Sequence, residues 1–153
     1  MQKIEKASLK DAKRIKKMID FYVDKEKLLP RPLSEIYEHI RDFVVFREDG
    51  KVFGCCALYI TWADLAEIKA LALDPKYVKK GIGSKLVAAC IKDANSMDIA
   101  KIFTLTMAPE FFKKQGFKPI KKSELPKKIW GECLACSKYP DCNEDAFIFY
   151  VKK

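Results

Sequence analysis

Apolar positions along the chain switch between two periods. Residues 2–6 carry the short β-type pattern of a first strand. Ser8 and Asp11, three residues apart, make a capping-box-like helix start. Leu9, Ala12, Ile15, Ile19, Tyr22 and Val23 then recur at helical spacing. Pro30 and Pro32 break the chain, and Ser34 stands where it can cap a second helix with Ile36, Ile40 and Phe43 on one face. There the period falls to that of strands. FVVF at 43–46 and VFGCCALYI at 52–60 flank Glu48-Asp49-Gly50-Lys51, and Asp-Gly between two such runs predicts a hairpin. A further strand covers Asp64 to Leu73 and stops at Asp74-Pro75. Beyond a glycine-containing loop at 78–84, helical spacing resumes over Lys85–Met97, with Leu86, Ala89, Cys90 and Ala94 inward. KIFTLT at 101–106 reads as a buried strand, and Pro109 opens a short helix that runs to Gln115 before Gly116. Residues 117–153 read as loops and short strands, with a β-type run, AFIFYV, at 146–151.

This order, β-α-α-β-β-β-α-β-α-β, predicts a mixed α/β fold with a largely sequential sheet. A length of 153 residues suits one domain over 1–153, with 120–153 as a cysteine-containing C-terminal extension of it. The apolar share of 49% suffices for a single core. The net charge of +9 favours anionic partners, which include nucleic acid, acidic membranes, phosphorylated cofactors and acidic metabolites. Charge alone does not choose among these, and the scattered lysines (Lys13, Lys16, Lys17, Lys121 and Lys122 among them) read as a solvated surface. No run reaches the roughly 20 apolar residues of a membrane span, and the N-terminus lacks the apolar core of a signal peptide. The expectation is a cytoplasmic protein with no membrane partner, in which the six cysteines stay reduced.

The most informative segment is LALDPKYVKKGIGSKLV, residues 71–87. A strand ends, the chain turns at Pro75, and Gly81 and Gly83 precede a helix whose free amides and dipole favour an anion. Lys79 and Lys80 add positive charge. A plain strand–helix turn and a pyrophosphate cradle both fit. The spacing matches neither G-x-G-x-x-G nor a Walker loop.

The segment resembles the coenzyme A pyrophosphate loop, R/Q-x-x-G-x-G/A, of the GNAT acetyltransferases. EIKALALDPKY before it is similar to the strand that precedes that loop, and PEFFKKQGF at 109–117 to the family's Y-x-x-x-G-F helix end. The resemblance implies a GNAT-like fold that binds acetyl-CoA between splayed strands near 67–73 and 101–106. The pantetheine would run along the backbone of Leu71, Ala72 and Leu73, and the pyrophosphate would rest on Lys79, Lys80, Gly81, Ile82, Gly83 and Ser84. A backbone amide would polarise the thioester carbonyl, and an amine would attack it directly. The residue implied as the base that deprotonates the amine is Glu67, with Asp64 the alternative. Two positions depart from the family pattern: Val78 replaces the Arg or Gln, and Phe112 replaces a Tyr that often protonates the leaving thiolate.

A narrower resemblance covers most of the chain. LLPRPLSEIYEHIRDFVV at 28–45, WADLAEIKALAL at 62–73, KIFTLTMAPEFFKKQGF at 101–117 and LPKKIWGECLACSKYPDCNEDA at 125–146 are similar to short, single-domain bacterial N-acetylglutamate synthases. This implies acetyl transfer to the α-amine of L-glutamate, the first step toward arginine. Glutamate needs cations for two carboxylates, and Arg31 and Arg41 suit that task. Lys128 and Trp130 join the pocket on the resemblance alone.

Cys133, Cys136 and Cys142 are close enough for zinc if Asp141, Glu144, His39 or a residue of another subunit in a homodimer completes the set. Reduced structural thiols are the other reading. Cys55, Cys56, Cys90 and the lone His39 fall at core positions. Two alternatives stand beside glutamate acetylation. One is a GNAT enzyme for another amino acid, a polyamine or a protein amine. The other is a basic zinc module for nucleic acid, which lacks interleaved aromatic and basic residues on one element.

Overall fold

The computed structural model describes residues 1–125 and 145–151. Its strands are β1 (Gln2–Lys6), β2 (Phe43–Glu48), β3 (Lys51–Trp62), β4 (Leu65–Leu73), β5 (Lys101–Thr106), β6 (Lys118–Pro119) and β7 (Asp145–Tyr150). Its helices are α1 (Ala12–Val23), α2 (Leu33–Glu38), α3 (Ile82–Ser96) and α4 (Pro109–Lys114). The strands form one sheet in the order β1-β2-β3-β4-β5-β7-β6. Every neighbouring pair is antiparallel except β4 and β5, which run parallel because α3 supplies the long crossover between them. The fold is the mixed α/β architecture that the pattern predicts. It departs from sequential order at one place: β7 inserts between β5 and β6, pairing with β5 from Lys101↔Tyr150 to Thr106↔Asp145.

Successive residues of a strand face opposite sides of a sheet, and FVVF uses both. Phe43 and Val45 join Ile15, Ile19 and Ile36 under α1 and α2. Val44 and Phe46 join Leu86, Cys90 and Phe112 under α3 and α4. The uninterrupted apolar run thus reflects burial on both faces. Phe43 is fully buried. Phe43→Ala is expected to cost about 3–5 kcal/mol, measured as a lowered urea midpoint with an unchanged slope.

The second helix is shorter than its periodicity suggests. It ends at Glu38, His39 leaves helical geometry (φ −104°, ψ 16°), and Ile40–Asp42 form a separate 3-10 turn. The His39 ring Nδ1 meets Asp42 Oδ2 at 2.8 Å across this turn. Ile36, Ile40 and Phe43 still share one core. Ser34 lies inside the helix, whose N-cap is Pro32.

The expected start at Ser8 is present. The Ser8 N–H donates to Asp11 Oδ2 (2.9 Å) and opens a 3-10 turn, Leu9–Asp11, that runs into α1. Arg47 on β2 then donates to Asp11 Oδ2 (2.8 Å) and to Glu5 Oε2 (2.6 Å), tying α1 to the sheet edge. Burial raises the Asp11 carboxyl, but its bonds to Arg47 and Ser8 outweigh this and leave it below its ordinary value. A lowered folded pKa contributes stability that is complete above the unfolded value, near pH 4, and disappears as pH falls through the folded one. The stability gap between the parent and Asp11→Asn is therefore expected to narrow below about pH 4, as urea midpoints at pH 7 and pH 3 will report.

Candidate active site

β4 and β5 begin as neighbours and then part. Their register covers Leu65↔Lys101, Ala66↔Ile102 and Glu67↔Phe103, yet β4 continues to Leu73 and β5 to Thr106. The Thr104 hydroxyl, donating to the Ile68 carbonyl at 2.9 Å, bridges the start of the gap. Beyond it opens a cavity of about 370 Å³. Its walls come from both sides of the sheet, with Tyr22 and Leu28 on one and Gly83, Phe111 and Phe112 on the other.

A bulge shapes the β4 wall. Cys55 pairs with Ala72 and Ala57 with Lys69, so three steps along β4 oppose two along β3. The extra residue puts Ala70 at φ 56°, a left-handed conformation that costs a non-glycine residue energy. The Cys55 thiol donates to the Ala70 carbonyl at 3.4 Å, and burial pushes that thiol up to about 12, so it keeps its proton. Further along, the Tyr22 hydroxyl donates to the Leu73 carbonyl at 2.5 Å. Arg14 donates to the Val52 carbonyl (2.9 Å) and to Asp74 Oδ2 (2.8 Å), which fixes the end of β4 against α1.

The loop after β4 is built for an anion. Lys79 (φ 66°) and Gly81 (φ 80°) are left-handed, and Gly81 is the N-cap of the 15-residue α3. Among the described residues, the N–H groups of residues 79–84 have no backbone acceptor. Lys79 and Lys80 are exposed beside them. The two glycines act differently. A Cβ at Gly81 would meet no atom within 4 Å, so its requirement is the backbone angle. A Cβ at Gly83 would lie 3.3 Å from the Phe111 ring, so its requirement is close packing of α3 on α4. Ser84 Oγ accepts from Gln115 Nε2 at 2.8 Å, a second tie between these helices.

Where the split begins, polar groups collect on the α1/α2 side of the sheet. Glu67 is only 6% exposed and lies opposite Tyr59 of β3. Lys69 Nζ is 3.4 Å from Glu67 Oε1 and 5.0 Å from the centre of the Tyr59 ring. The Tyr59 hydroxyl donates to Glu35 Oε2 (3.1 Å), and Arg31 Nη1 donates to the same oxygen (2.7 Å). His39 stacks on Tyr59, with the ring centres 4.1 Å apart. Burial pushes the Tyr59 hydroxyl up. It also raises Glu35, but Arg31, the Tyr59 hydroxyl and the Lys69 charge together outweigh burial there and leave that carboxyl below its ordinary value. The arrangement joins a buried carboxylate, paired cations and an opening through the sheet, which is what amine attack on a bound thioester requires.

Residues 10–117 match the model of the acetyltransferase (GNAT) family. The chain belongs to the GNAT acetyltransferase family. It is 37% identical over 145 residues to an uncharacterised N-acetyltransferase of Chlorobaculum tepidum, covering 95% of this chain and 94% of that one. It is 33% identical over 132 residues to the amino-acid acetyltransferase of Mycobacterium tuberculosis, covering 84% and 75%. Among solved structures it is similar to the N-acetylglutamate synthase of Neisseria gonorrhoeae complexed with coenzyme A and N-acetyl-glutamate, at TM-score 0.92 and 26% identity. That match covers the whole of this chain and 36% of the synthase, so this chain spans about a third of that protein. The protein is a GNAT-type acetyl-CoA N-acetyltransferase.

Within this GNAT scaffold the residues singled out by sequence fall in three groups. Glu67, Arg31 and the β4 residues Leu71 and Leu73 lie on or beside the split, and the 79–84 loop stands at its α3 end. Asp64 and Arg41 stand apart. Asp64 is exposed in the β3–β4 turn, 3.7 Å from Lys101. Arg41 is exposed in the 3-10 turn, and its carbonyl accepts from Lys6, which is tied in turn to Asp93 of α3 on the other side of the sheet. Lys128, Trp130, Cys133, Cys136 and Cys142 lie outside the described residues. Among the described residues no cluster of His, Cys, Asp or Glu could hold a metal ion. None of their helices is long and apolar enough to cross a membrane. Phe112 is buried in ring contact with Phe111 and Phe117 and offers no acid to a leaving thiolate. Lys69, Glu35, Tyr59 and Tyr22 were not evident from sequence. Only Lys69 carried a signal, its two-residue spacing from Glu67 on one strand face.

Proposed function

We propose that this chain transfers the acetyl group of acetyl-CoA to the α-amine of L-glutamate by direct attack. The observation that carries the reading is the buried Glu67 carboxylate at the point where β4 leaves β5. Acetyl-CoA threads the split, its pantetheine along Leu71, Ala72 and Leu73 and its pyrophosphate on the amides of 79–84. With Val78 in place of the family's Arg or Gln, Lys79 and Lys80 add positive charge beside those amides. The acceptor enters from the α1/α2 side, where Glu67 removes a proton from its ammonium group. The free amine then attacks the thioester carbon, a backbone amide at the bulge stabilises the oxyanion, and the C–S bond breaks as the remaining extra proton on nitrogen passes to the departing thiolate, which leaves the amide and the free thiol of coenzyme A. The names of the Mycobacterium and Neisseria relatives support an amino-acid acceptor and, for the second, glutamate. Arg31 supports a carboxylate-bearing acceptor over a polyamine, which would need carboxylates to bind it. On this reading the product opens the route to arginine.

Initial-velocity kinetics test the mechanism. Varying acetyl-CoA against L-glutamate is expected to give intersecting double-reciprocal lines, since both substrates must be bound before transfer. No turnover of glutamate would refute the acceptor, and parallel lines would refute direct attack.

The loop has its own test. Gly81→Val forces a β-branched residue toward left-handed backbone, which costs an L-residue about 1–2 kcal/mol. Coenzyme A binding, which needs that conformation, is expected to weaken about 5–30-fold by calorimetry. Unchanged binding would place the pyrophosphate elsewhere. Gly83→Val is less selective, because its side chain meets Phe111 and disturbs the packing of α3 on α4.

A further inference from the structure

We propose that Lys69 binds the acceptor's α-carboxylate and so selects α-amino acids as substrates. The inference rests on the acetyl-transfer reading above and adds a residue to it. Lys69 lines the cavity between β4 and β5. Its ammonium is held on the acceptor side, between Glu67 (3.4 Å) and the Tyr59 ring (5.0 Å). The bulge at Ala70 keeps this position where the strand turns away from β5.

The chemistry of an amino acid then fixes the assignment. Its amine and its α-carboxylate share one carbon. An amine placed to give its proton to Glu67 brings that carboxylate beside the cation that adjoins Glu67, and among the described residues this cation is Lys69. Arg31 joins this group through Glu35. It is bound to Glu35, with its guanidinium carbon 5.9 Å from the Tyr59 ring centre. This leaves Arg31 for the side-chain carboxylate.

Charge balance supports the same role. A cation with little access to water is costly without an anion beside it. Before substrate arrives, Lys69 adjoins Glu67 and also acts on the Glu35 carboxylate. When the ammonium of the acceptor passes a proton to Glu67, the carboxylate becomes neutral and the amine becomes free. The incoming α-carboxylate then takes over as the partner of Lys69. The loss of the Glu67 charge is thereby offset at Lys69.

The test compares the parent with Lys69→Met on three acceptors: L-glutamate, its γ-amide L-glutamine and its α-amide L-isoglutamine. The variant is expected to lose about 10–100-fold in kcat/KM for glutamate and glutamine, and less than about 3-fold for isoglutamine, which lacks the charge in question. Lys69→Arg is expected to restore most of the difference. Coenzyme A affinity equal to the parent's shows that the variant is folded. An equal loss on all three acceptors overturns the proposal, because Lys69 then acts only through Glu67 or the fold. A loss on glutamate and isoglutamine alone also overturns it, because the contact is then to the side-chain carboxylate. A parent that turns over another amino acid but none of these three refutes the glutamate reading alone, and comparing that amino acid with its own α-amide then decides the role of Lys69.

Discussion

Glu67→Gln is expected to lower the turnover number by about 10²–10⁴ while leaving coenzyme A affinity unchanged. An amino acid's α-ammonium cannot attack until it loses a proton, and Glu67 is the buried carboxylate at the head of the β4–β5 split. Glutamine preserves the volume and the hydrogen-bonding reach and removes only the basicity. The contact with Lys69 weakens as well, but it lies on the acceptor side, away from the 79–84 loop. A fall in turnover at constant coenzyme A affinity is therefore the signature of a lost base. Asp64→Asn is the control, because Asp64 is exposed in the β3–β4 turn and pairs only loosely with Lys101. It is expected to retain the parent rate. Equal rates for Glu67→Gln and the parent at pH 7 would assign the Glu67 carboxylate to structure.

Arg31→Ala is expected to lower kcat/KM for glutamate about 10–100-fold, equivalent to 1.5–3 kcal/mol for a lost charged hydrogen bond. The effect should appear as a raised glutamate KM with acetyl-CoA binding intact. Arg31 sits between Pro30 and Pro32, and its side chain is only 15% exposed, so its guanidinium is held rather than free to wander. One of its nitrogens is committed to Glu35, and the planar fork leaves other N–H groups for a ligand. Lys at this position keeps the charge and loses the fork, so it should rescue only in part. Because Arg31 also holds Glu35, thermal unfolding of the variant must be measured alongside. A lowered Tm with unchanged glutamate KM would give Arg31 a structural role alone. Arg41→Ala provides the contrast. Its exposed side chain predicts a far smaller change in glutamate KM than that of Arg31→Ala.

The elements were legible from sequence to the extent that they are local. Helical and strand periods located α1, α3 and β2 to β5, and the Asp49-Gly50 turn located the β2–β3 hairpin. The loop ahead of α3 was legible as a turn into a helix because Gly81 and Gly83 mark it, and Gly81 is the helix N-cap. What escaped depends on pairing between distant segments. Nothing in AFIFYV indicates that it pairs with β5 before β6, and β6 itself is two residues long. The bulge at Ala70 was hidden because alanine rarely adopts positive φ and so does not advertise it. Lys69 shares a strand face with Glu67 by its spacing alone, but its place beside the Tyr59 ring depends on pairing with β3. The second helix misled for a local reason. The backbone leaves helical geometry at His39 while Ile36, Ile40 and Phe43 stay in one core, and Arg41 emerges from a turn instead of a helix face.

The most direct measurement of the central claim is acetyl-CoA consumption across L-glutamate, L-aspartate, L-glutamine, spermidine and an N-terminal peptide, with the product identified by mass. The account predicts one acetyl group added to the α-nitrogen of glutamate, at a higher kcat/KM than for any other acceptor. A clear preference for spermidine or the peptide would contradict it and leave only the acetyltransferase scaffold standing.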